Sequence, residues 1–181
     1  PHWTHPRMAT GTLIPVWAYS NAEEVDLLFN GRSLGRRRPG REWNQLQCEW
    51  LVPWAPGILE AVAYRNGREV ARTTQSTAGA PTQLKVTTER LPAGAEGRDV
   101  CIVTVAATDT NRTFYPYGEN RVSFHLDGPV RLLCLENGSP VDVASNTGVD
   151  SRRMFFGLTR AFVELGQGAT NVSAIVGAIC G

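Results

Sequence analysis

The sequence predicts an all-β protein made of two tandem immunoglobulin-like β-sandwich domains. Short segments in which apolar and polar residues alternate recur along the 181 residues, and no segment keeps the period of a helix. Turn residues separate these segments at the close spacing of a sandwich. The segment Ser76–Gln83, "STAGAPTQ", has the small residues of a linker. We therefore predict one domain over residues 1–79 and another over residues 80–181; if that segment is only a loop, a single large sandwich is the alternative.

The first domain begins with the clearest alternation in the chain. Val25, Leu27 and Phe29 are apolar, whereas Glu24 and Asp26 between them are polar. Successive strand residues point to opposite faces, so we predict a strand with the apolar side chains in the core and the carboxylates in solvent.

Turn chemistry divides the rest of the chain into strands. Asn30-Gly31 and Asn66-Gly67 each predict a two-residue hairpin turn, because such turns need positive φ at both residues. The predicted strands are Ile14–Tyr19, Glu24–Phe29, Leu46–Val52, Ile58–Arg65 and Glu69–Gln75 in the first domain, and Gln83–Thr88, Asp99–Thr108, Arg121–Leu126, Val130–Leu135, Phe156–Leu165 and Asn171–Ile179 in the second.

Adjacent carboxylates raise the question of a glycosidase site, which needs two carboxyl groups about 5–10 Å apart across a bound sugar. Glu23 and Glu24 are strand neighbours and point to opposite faces. Glu24 and Asp26 share a face, but an open one. We predict no catalytic residue in this chain.

Metal and cofactor sites are not predicted either. His2 and His5 have no Cys, Asp or Glu beside them, and His125 lies between Phe124 and Leu126, facing away from the core. No nucleotide-binding or serine-nucleophile motif occurs. The four cysteines lie in apolar strand-like segments, which favours buried free thiols over disulfides. They are Cys48, Cys101, Cys134 and Cys180.

Composition excludes several kinds of partner. The net charge is +1, and the arginine-rich run 36–41 lacks interleaved aromatic residues, so we interpret it as a solvated loop and predict no nucleic-acid binding. No apolar run is long enough to span a bilayer, and we predict no membrane partner. Pro1 is neither a Met nor the start of a signal peptide, so we expect an excised segment that does not encode its own compartment.

The five tryptophans all lie in the first domain, and packing is favoured over sugar binding for the set. Trp17 lies in a continuous apolar run and is expected in the core, whereas Trp50 and Trp54 suit core or interdomain packing. Trp3 and Trp43 have polar neighbours and are the candidates for an exposed carbohydrate contact. Sugar binding is expected to be weak or undetectable, because a stacking platform needs an exposed ring with polar groups nearby.

Three segments carry a resemblance to a known family. They read "IPVWAYSNAEEVDLLFNGRSLG" (14–35), "WLVPWAPGILEAVAYRNGREVA" (50–71) and "TAGAPTQLKVTTER" (77–90). Looser motifs follow at Gly97–Asp99, Asp109, Val122–Gly128, Asn137-Gly138 and Phe155–Gly157. Together they resemble the C-terminal accessory region of bacterial glycoside hydrolase family 2 enzymes of the β-galactosidase kind. Departures are Trp54 in place of a Tyr, "ENGSP" at 136–140 in place of an acidic motif, and the loop "TNRTFYPYGEN" at 110–120.

The resemblance implies a non-catalytic segment that supports or orients a catalytic barrel belonging to the same polypeptide. The family's two catalytic glutamates lie in that barrel, and no residue here matches their motifs. It also implies a periplasmic or secreted bacterial parent enzyme; whether that enzyme is a homo-oligomer is left open. Two alternatives are a carbohydrate-binding module and an adhesin-type immunoglobulin-like repeat.

Overall fold

The structure is a computed structural model that describes residues 2–40, 46–91, 98–166 and 173–179. These residues form strands, turns and loops and no helix, which confirms the all-β prediction. With no helix in the described ranges, none has the length and hydropathy that a membrane crossing requires. The chain divides into two compact units, Pro1–Thr77 and Ala78–Gly181, and each is described separately.

The first unit contains two antiparallel sheets in its described part. The smaller sheet pairs β1 (Leu13–Tyr19) with β4 (Gln47–Pro53). The larger sheet has the order β3-β2-β5-β6. Its strands are β2 (Glu24–Phe29), β3 (Arg32–Arg37), β5 (Ile58–Arg65) and β6 (Arg68–Ser76).

Both predicted hairpin turns of this unit are confirmed. Asn30 and Gly31 have φ of 49° and 78° between β2 and β3, and Asn66 and Gly67 have 50° and 72° between β5 and β6. Asparagine and glycine tolerate these values, and the resulting turn matches the twist of the paired strands. The predicted return of the chain after the Asn30-Gly31 turn is confirmed by β3, but β3 continues to Arg37, into the arginine-rich run for which a loop was predicted.

The core of the first unit lies between its two sheets. Val25 and Leu27 of β2 face Trp50 and Val52 of β4, and all four are almost fully buried. Burial of this apolar surface is the main force that joins the sheets. Phe29, predicted in the core, is only partly buried at its margin.

The second unit also contains two antiparallel sheets among its described residues. One sheet has the order β10-β12-β8-β7, and the other has the order β11-β9-β13. The strands are β7 (Gln83–Leu91), β8 (Val100–Thr108), β9 (Arg121–Asp127), β10 (Val130–Glu136), β11 (Ser151–Arg153), β12 (Leu158–Leu165) and β13 (Ser173–Ile179).

The core of the second unit is closed. Val105 of β8, Val122 of β9 and Leu135 of β10 have no exposed surface. Alternate residues of these strands point inwards, as period-2 patterning requires. The three-residue strand β11 was not predicted, because it is too short to show a period.

A turn replaces the predicted start of the strand Phe156–Leu165. Phe156 and Gly157 have φ of 47° and 73°, and the backbone groups of Phe155 and Leu158 bond to each other across them. The strand therefore starts at Leu158. Gly157 is required for two reasons: its φ is positive, and a Cβ there would clash with the carbonyl oxygen of Tyr115.

The cysteines within the described residues are free thiols, as predicted. Cys48 is buried, and Cys101 and Cys134 are partly buried. Burial raises the pKa of all three thiols, which keeps them protonated and unreactive. Cys180 lies outside the described residues.

Candidate functional site

The β1–β4 sheet of the first unit exposes an aromatic face. Strand alternation directs Leu13, Trp17 and Tyr19 outwards, with exposed fractions of 59%, 57% and 70%. The antiparallel register places Trp17 opposite Glu49 and Tyr19 opposite Gln47. Two exposed rings therefore lie on one face beside polar side chains. We call the residues 13, 17, 19, 47, 49 and 51 the outer face.

Trp17 was expected in the core, and that prediction was wrong. The run of apolar residues around it hid the strand parity, because Val16 and Ala18 on either side are the ones that face inwards. Trp17 therefore faces outwards. A long apolar run does not show by itself which parity is buried.

Trp3 was expected to be exposed, and that prediction was also wrong. It is 2% exposed, its Nε1 donates to the carbonyl of Ala55 at 3.0 Å, and its own carbonyl accepts from the Thr77 hydroxyl at 3.0 Å. These partners lie 52 and 74 residues away, so polar sequence neighbours could not reveal them. Trp50 and Trp54 are buried, which agrees with packing. Trp43 lies outside the described residues.

The inner side of β1 borders an apolar groove of about 540 Å³. Its floor is formed by β2, β5 and β6, where Ala61, Ala63 and Ala71 are small. Ile14, Val16 and Ala18 of β1 form one wall. His2, Trp3 and His5 also line the groove. No β4 residue contributes to it, so the groove lies on the side of β1 away from β4.

The carboxylates of β2 are held by arginines on an open sheet face. Glu24 accepts from Arg38 at 3.0 Å and from Arg36 at 3.4 Å, and the Arg38 hydrogen bond is the main reason why its pKa is lowered. Asp26 was predicted in solvent, but it is only 9% exposed, because the Ser33 hydroxyl donates to it at 2.6 Å and Arg36 lies beside it.

The arginine-rich run is exposed at residues 36–38, as predicted, but it is not a loop throughout its described part. Arg36 and Arg37 belong to β3, and each guanidinium lies over an aromatic ring: Arg36 over Tyr64 at 4.0 Å and Arg37 over Trp50 at 5.6 Å. Cation–π contacts and ion pairs tie these arginines to their own sheet. Arg41 lies outside the described residues.

The same arrangement recurs on β5 and β6. Arg72 joins Glu60 at 2.9 Å and Glu69 at 3.0 Å, which lowers the pKa of Glu69. An arginine that bridges two carboxylates favours the charged form of each, whereas a glycosidase acid needs a raised pKa. The carboxylates of both groups are therefore engaged in ion pairs on the larger sheet.

Two of the three histidines lie close together in the first unit. The rings of His2 and His5 lie 4.8 Å apart, but no group of three or more His, Cys, Asp or Glu that could hold a metal occurs among the described residues. Burial lowers the pKa of His2. His125 is exposed, as its parity predicted.

In the second unit, Asp109 fixes a turn. It is buried at 3% exposure, and its carboxylate accepts from the backbone N–H groups of Gly79, Asn111 and Thr113 at 2.8–2.9 Å. The Gly79 bond is the largest cause of its lowered pKa. Because its carboxylate accepts from three backbone N–H groups of the surrounding turn, we assign Asp109 a structural role.

Arg152 fixes the loop between β10 and β11. It is 5% exposed, and its guanidinium donates to the carbonyls of Ala144 and Ser145 and lies 3.1 Å from Asp142. Asn137 also donates to Asp142 at 2.9 Å. The burial of Asp109 and Arg152 was not predicted, because most of their partners are backbone groups, which have no sequence signal.

Two family models match the chain. The first is a domain of unknown function, DUF4982, over residues 11–71. The second is the glycoside hydrolase family 2 C-terminal domain 5, over residues 84–178. Each match falls within one of the two compact units.

Curated relatives are longer proteins. The chain is 49% identical over its full length to a putative β-glucuronidase of Formosa agariphila and 33% identical over 87% of its length to the β-galactosidase BoGH2A of Bacteroides ovatus. It spans 18% of the length of each.

Solved structures of longer enzymes also match the chain over almost its whole length. A β-glycosidase from Bacteroides vulgatus matches 98% of the chain with a TM-score of 0.87 and 33% identity, and the match covers 22% of that enzyme. A glycosyl hydrolase family 2 member from Bacteroides cellulosilyticus matches with a TM-score of 0.84 and 28% identity. The predicted resemblance is confirmed: the chain belongs to glycoside hydrolase family 2, as part of the C-terminal region of its enzymes.

Proposed function

We propose that residues 1–181 are a non-catalytic accessory region that supports or orients the catalytic barrel of a family 2 β-glycosidase. The barrel would belong to the same polypeptide and would carry both catalytic glutamates. Two observations support the proposal: the chain covers a small share of its enzyme relatives, and its own carboxylates are used structurally.

The carboxylate geometry carries the argument. On the first unit's larger sheet, Arg36 contacts both Glu24 and Asp26, and Arg72 contacts both Glu60 and Glu69. A retaining glycosidase needs one protonated acid and one free nucleophile on either side of the sugar. An arginine that contacts both carboxylates favours their charged forms and so opposes the protonation that a general acid needs.

The relatives indicate the substrate class of the whole enzyme. One is named a putative β-glucuronidase and another a β-galactosidase, so the proposed parent enzyme hydrolyses β-glucuronides or β-galactosides. The accessory region makes no contact with the reacting atoms in this proposal.

Hydrolysis assays test the proposal directly. Purified residues 1–181 should not hydrolyse nitrophenyl β-galactoside or β-glucuronide, whereas the full-length protein should hydrolyse one of them. Turnover by residues 1–181 that disappears in Glu24→Gln or Glu60→Gln, with an unchanged circular dichroism spectrum, would contradict it. Asp150→Asn is the matched control, because Asp150 is exposed in the second unit.

Sugar binding is a second candidate function, favoured by one observation. Trp17 and Tyr19 are exposed two residues apart on the outer face, and Glu49 and Gln47 lie directly across from them. Sugar rings stack on flat aromatic surfaces while nearby polar groups bind their hydroxyls. The Gln47 amide already donates to Glu49 at 3.2 Å, which orders the pair.

Titration of galacto-oligosaccharides into residues 1–181, followed by calorimetry, tests this candidate. If the outer face binds sugar, saturable heat should disappear in Trp17→Ala and persist in Leu51→Ala. Leu51 is 68% exposed on the same face and has no ring to stack. Binding that survives Trp17→Ala would contradict a site at the outer face.

A further inference from the structure

The first unit leaves uncovered a surface that a sandwich normally buries. Inward-facing residues of β4, including Trp50 and Val52, are almost fully buried, whereas the inward-facing Val16 and Ala18 of β1 are only partly buried. The two strands belong to one sheet and face one core. Their burial differs because the part of the larger sheet beneath β4 is covered, whereas β1 borders the open groove above β5 and β6.

The backbone of β1 has one unpaired edge within the described residues. The backbone N–H of Trp54 donates to the carbonyl of Thr12, and the backbone N–H of Ser20 donates to the carbonyl of Leu46. These two bonds show which residues of β1 point their backbone groups towards β4. In this arrangement the even-numbered residues of β1 bond to β4, and the backbone groups of Leu13, Trp17 and Tyr19 face the groove side. Pro15 has no N–H on this edge, but its carbonyl can still accept.

Such an edge is a template for another strand. It is seven residues long, and it borders an apolar floor of small side chains, Ala61, Ala63 and Ala71. Small floor residues leave room for the side chains of a strand laid over them. Exposed edges of this kind are normally paired or covered.

The position of residues 2–5 indicates which strand could cover it. His2 and Trp3 line the groove, and the hydrogen bond from Thr77 to Trp3 places this segment near the end of β6, beside Gln75 and the start of β1. A polypeptide that runs along the groove into residue 2 would be antiparallel to β1. Consecutive strands pair in this way more often than in any other.

We propose that an extended segment of the same polypeptide, immediately preceding residue 1, pairs antiparallel with the open edge of β1 and fills the groove. The inference rests on the proposed function only in requiring a longer polypeptide, as the curated relatives have. The incoming segment has apolar residues at alternate positions, because only one of its faces meets Ala61, Ala63 and Ala71. The first unit is then a sandwich of three strands over four.

Amide hydrogen exchange tests the pairing residue by residue, with the full-length protein and residues 1–181 compared at equal concentration. The amides of Trp17 and Tyr19 report on the open edge, and those of Val16 and Ala18, which face β4, are the internal controls. In the full-length protein the Trp17 and Tyr19 amides should exchange at least about tenfold more slowly than in residues 1–181. Val16 and Ala18 should change much less.

A matched pair of variants tests whether the groove is filled. Thr73 and Thr74 are exposed neighbours on β6, but only Thr73 lines the groove. In the full-length protein Thr73→Asp should remove most of the added protection of Trp17 and Tyr19, because it places a charge under the incoming strand. Thr74→Asp should leave that protection within about twofold, because its side chain faces the other side of the sheet.

The outcomes separate this inference from the proposed function. A full-length protein that hydrolyses a β-glycoside while Trp17 and Tyr19 exchange as fast as in residues 1–181 overturns the pairing and leaves the proposed function standing. Protection without hydrolysis supports the pairing and counts against the proposed function. Protection that grows with the concentration of residues 1–181 would assign the edge to a second copy and overturn the proposal.

Discussion

The two units build the same kind of sandwich to different degrees of completeness. In the described residues of the first unit, two strands lie over a sheet of four, and inward-facing Val16 is partly exposed. In the second unit, three strands lie opposite a sheet of four, and Val105 and Val122 have no exposed surface. A third strand in the smaller sheet is what separates an open core from a closed one.

The outer surfaces differ in a second way. The larger sheet of the first unit is covered by arginine–carboxylate pairs, so that Val62 beneath them is fully buried. Its smaller sheet instead exposes Leu13, Trp17 and Tyr19. The larger sheet therefore presents charged side chains to water, whereas the smaller sheet presents apolar ones, and exposed apolar side chains grouped on one face are typical of a contact site.

The largest predicted effect is in the closed core. Leu135→Ala should lower the free energy of unfolding of the second unit by about 2–5 kcal/mol, because it leaves a cavity where no surface is exposed. All five tryptophans lie in the first unit, so fluorescence reports on that unit and far-ultraviolet circular dichroism on both. We expect the loss of stability to appear in the circular dichroism transition and not in the fluorescence transition. A fluorescence transition shifted equally would show that the two units unfold together.

The next effect is the turn at Asp109. Asp109→Asn should cost the second unit about 1–3 kcal/mol, because the new amide cannot accept from the Gly79 N–H as the Oδ2 oxygen does. Asp150→Asn, an exposed change of the same kind, should cost little. An equal loss in both variants would show that charge and not hydrogen bonding is responsible.

The lowered pKa of Asp109 gives this prediction a pH dependence. A carboxyl group whose folded pKa is depressed adds stability above its unfolded pKa, and this stability is lost as the pH falls through the folded value. The difference between wild type and Asp109→Asn should therefore be full at neutral pH and shrink in acid. Denaturant titrations at several pH values measure it.

Local sequence signals predicted the parts of the fold that local geometry decides. The Asn30-Gly31 and Asn66-Gly67 turns and the strands Glu24–Phe29 and Ile58–Arg65 occur as predicted. The turns depend on the φ preferences of two residues, and the strands depend on an alternation of apolar and polar residues that is visible within eight residues.

Burial could not be predicted in the same way, because distant partners decide it. Trp3 is buried by residues more than 50 positions away, while Trp17 is exposed by the register of β1 against β4. The continuation of β3 through Arg36 and Arg37 was not predicted, because the contacts of Arg36 with Glu24 and Tyr64 have no local sequence signal. The groove depends on which strand lies next to β1, and this is a property of topology.

A smaller effect is expected at the strained turn of the second unit. Phe156 has φ of 47° and is 59% exposed, and bulky residues adopt this conformation at a cost of about 1 kcal/mol or more. Phe156→Asn should therefore stabilise the second unit by about 1 kcal/mol. The reverse change, Asn66→Phe in the equivalent turn of the first unit, should destabilise that unit by a similar amount. Destabilisation by Phe156→Asn would show that packing of the Phe156 ring on Phe155, 4.4 Å away, outweighs the strain.

The smallest effect is expected where the two units differ most. Val16→Ala in residues 1–181 should cost less than about 1 kcal/mol, because Val16 borders the groove and its removal leaves no closed cavity. Val105→Ala is the matched control in the second unit and should cost about 2 kcal/mol, because Val105 is sealed on every side. Tryptophan fluorescence follows the first change and circular dichroism the second. In the full-length protein a strand over the groove would enclose Val16, so the cost of Val16→Ala should rise towards that of Val105→Ala. If the two valines cost the same in residues 1–181, the groove is already closed there and the contrast between the units is wrong.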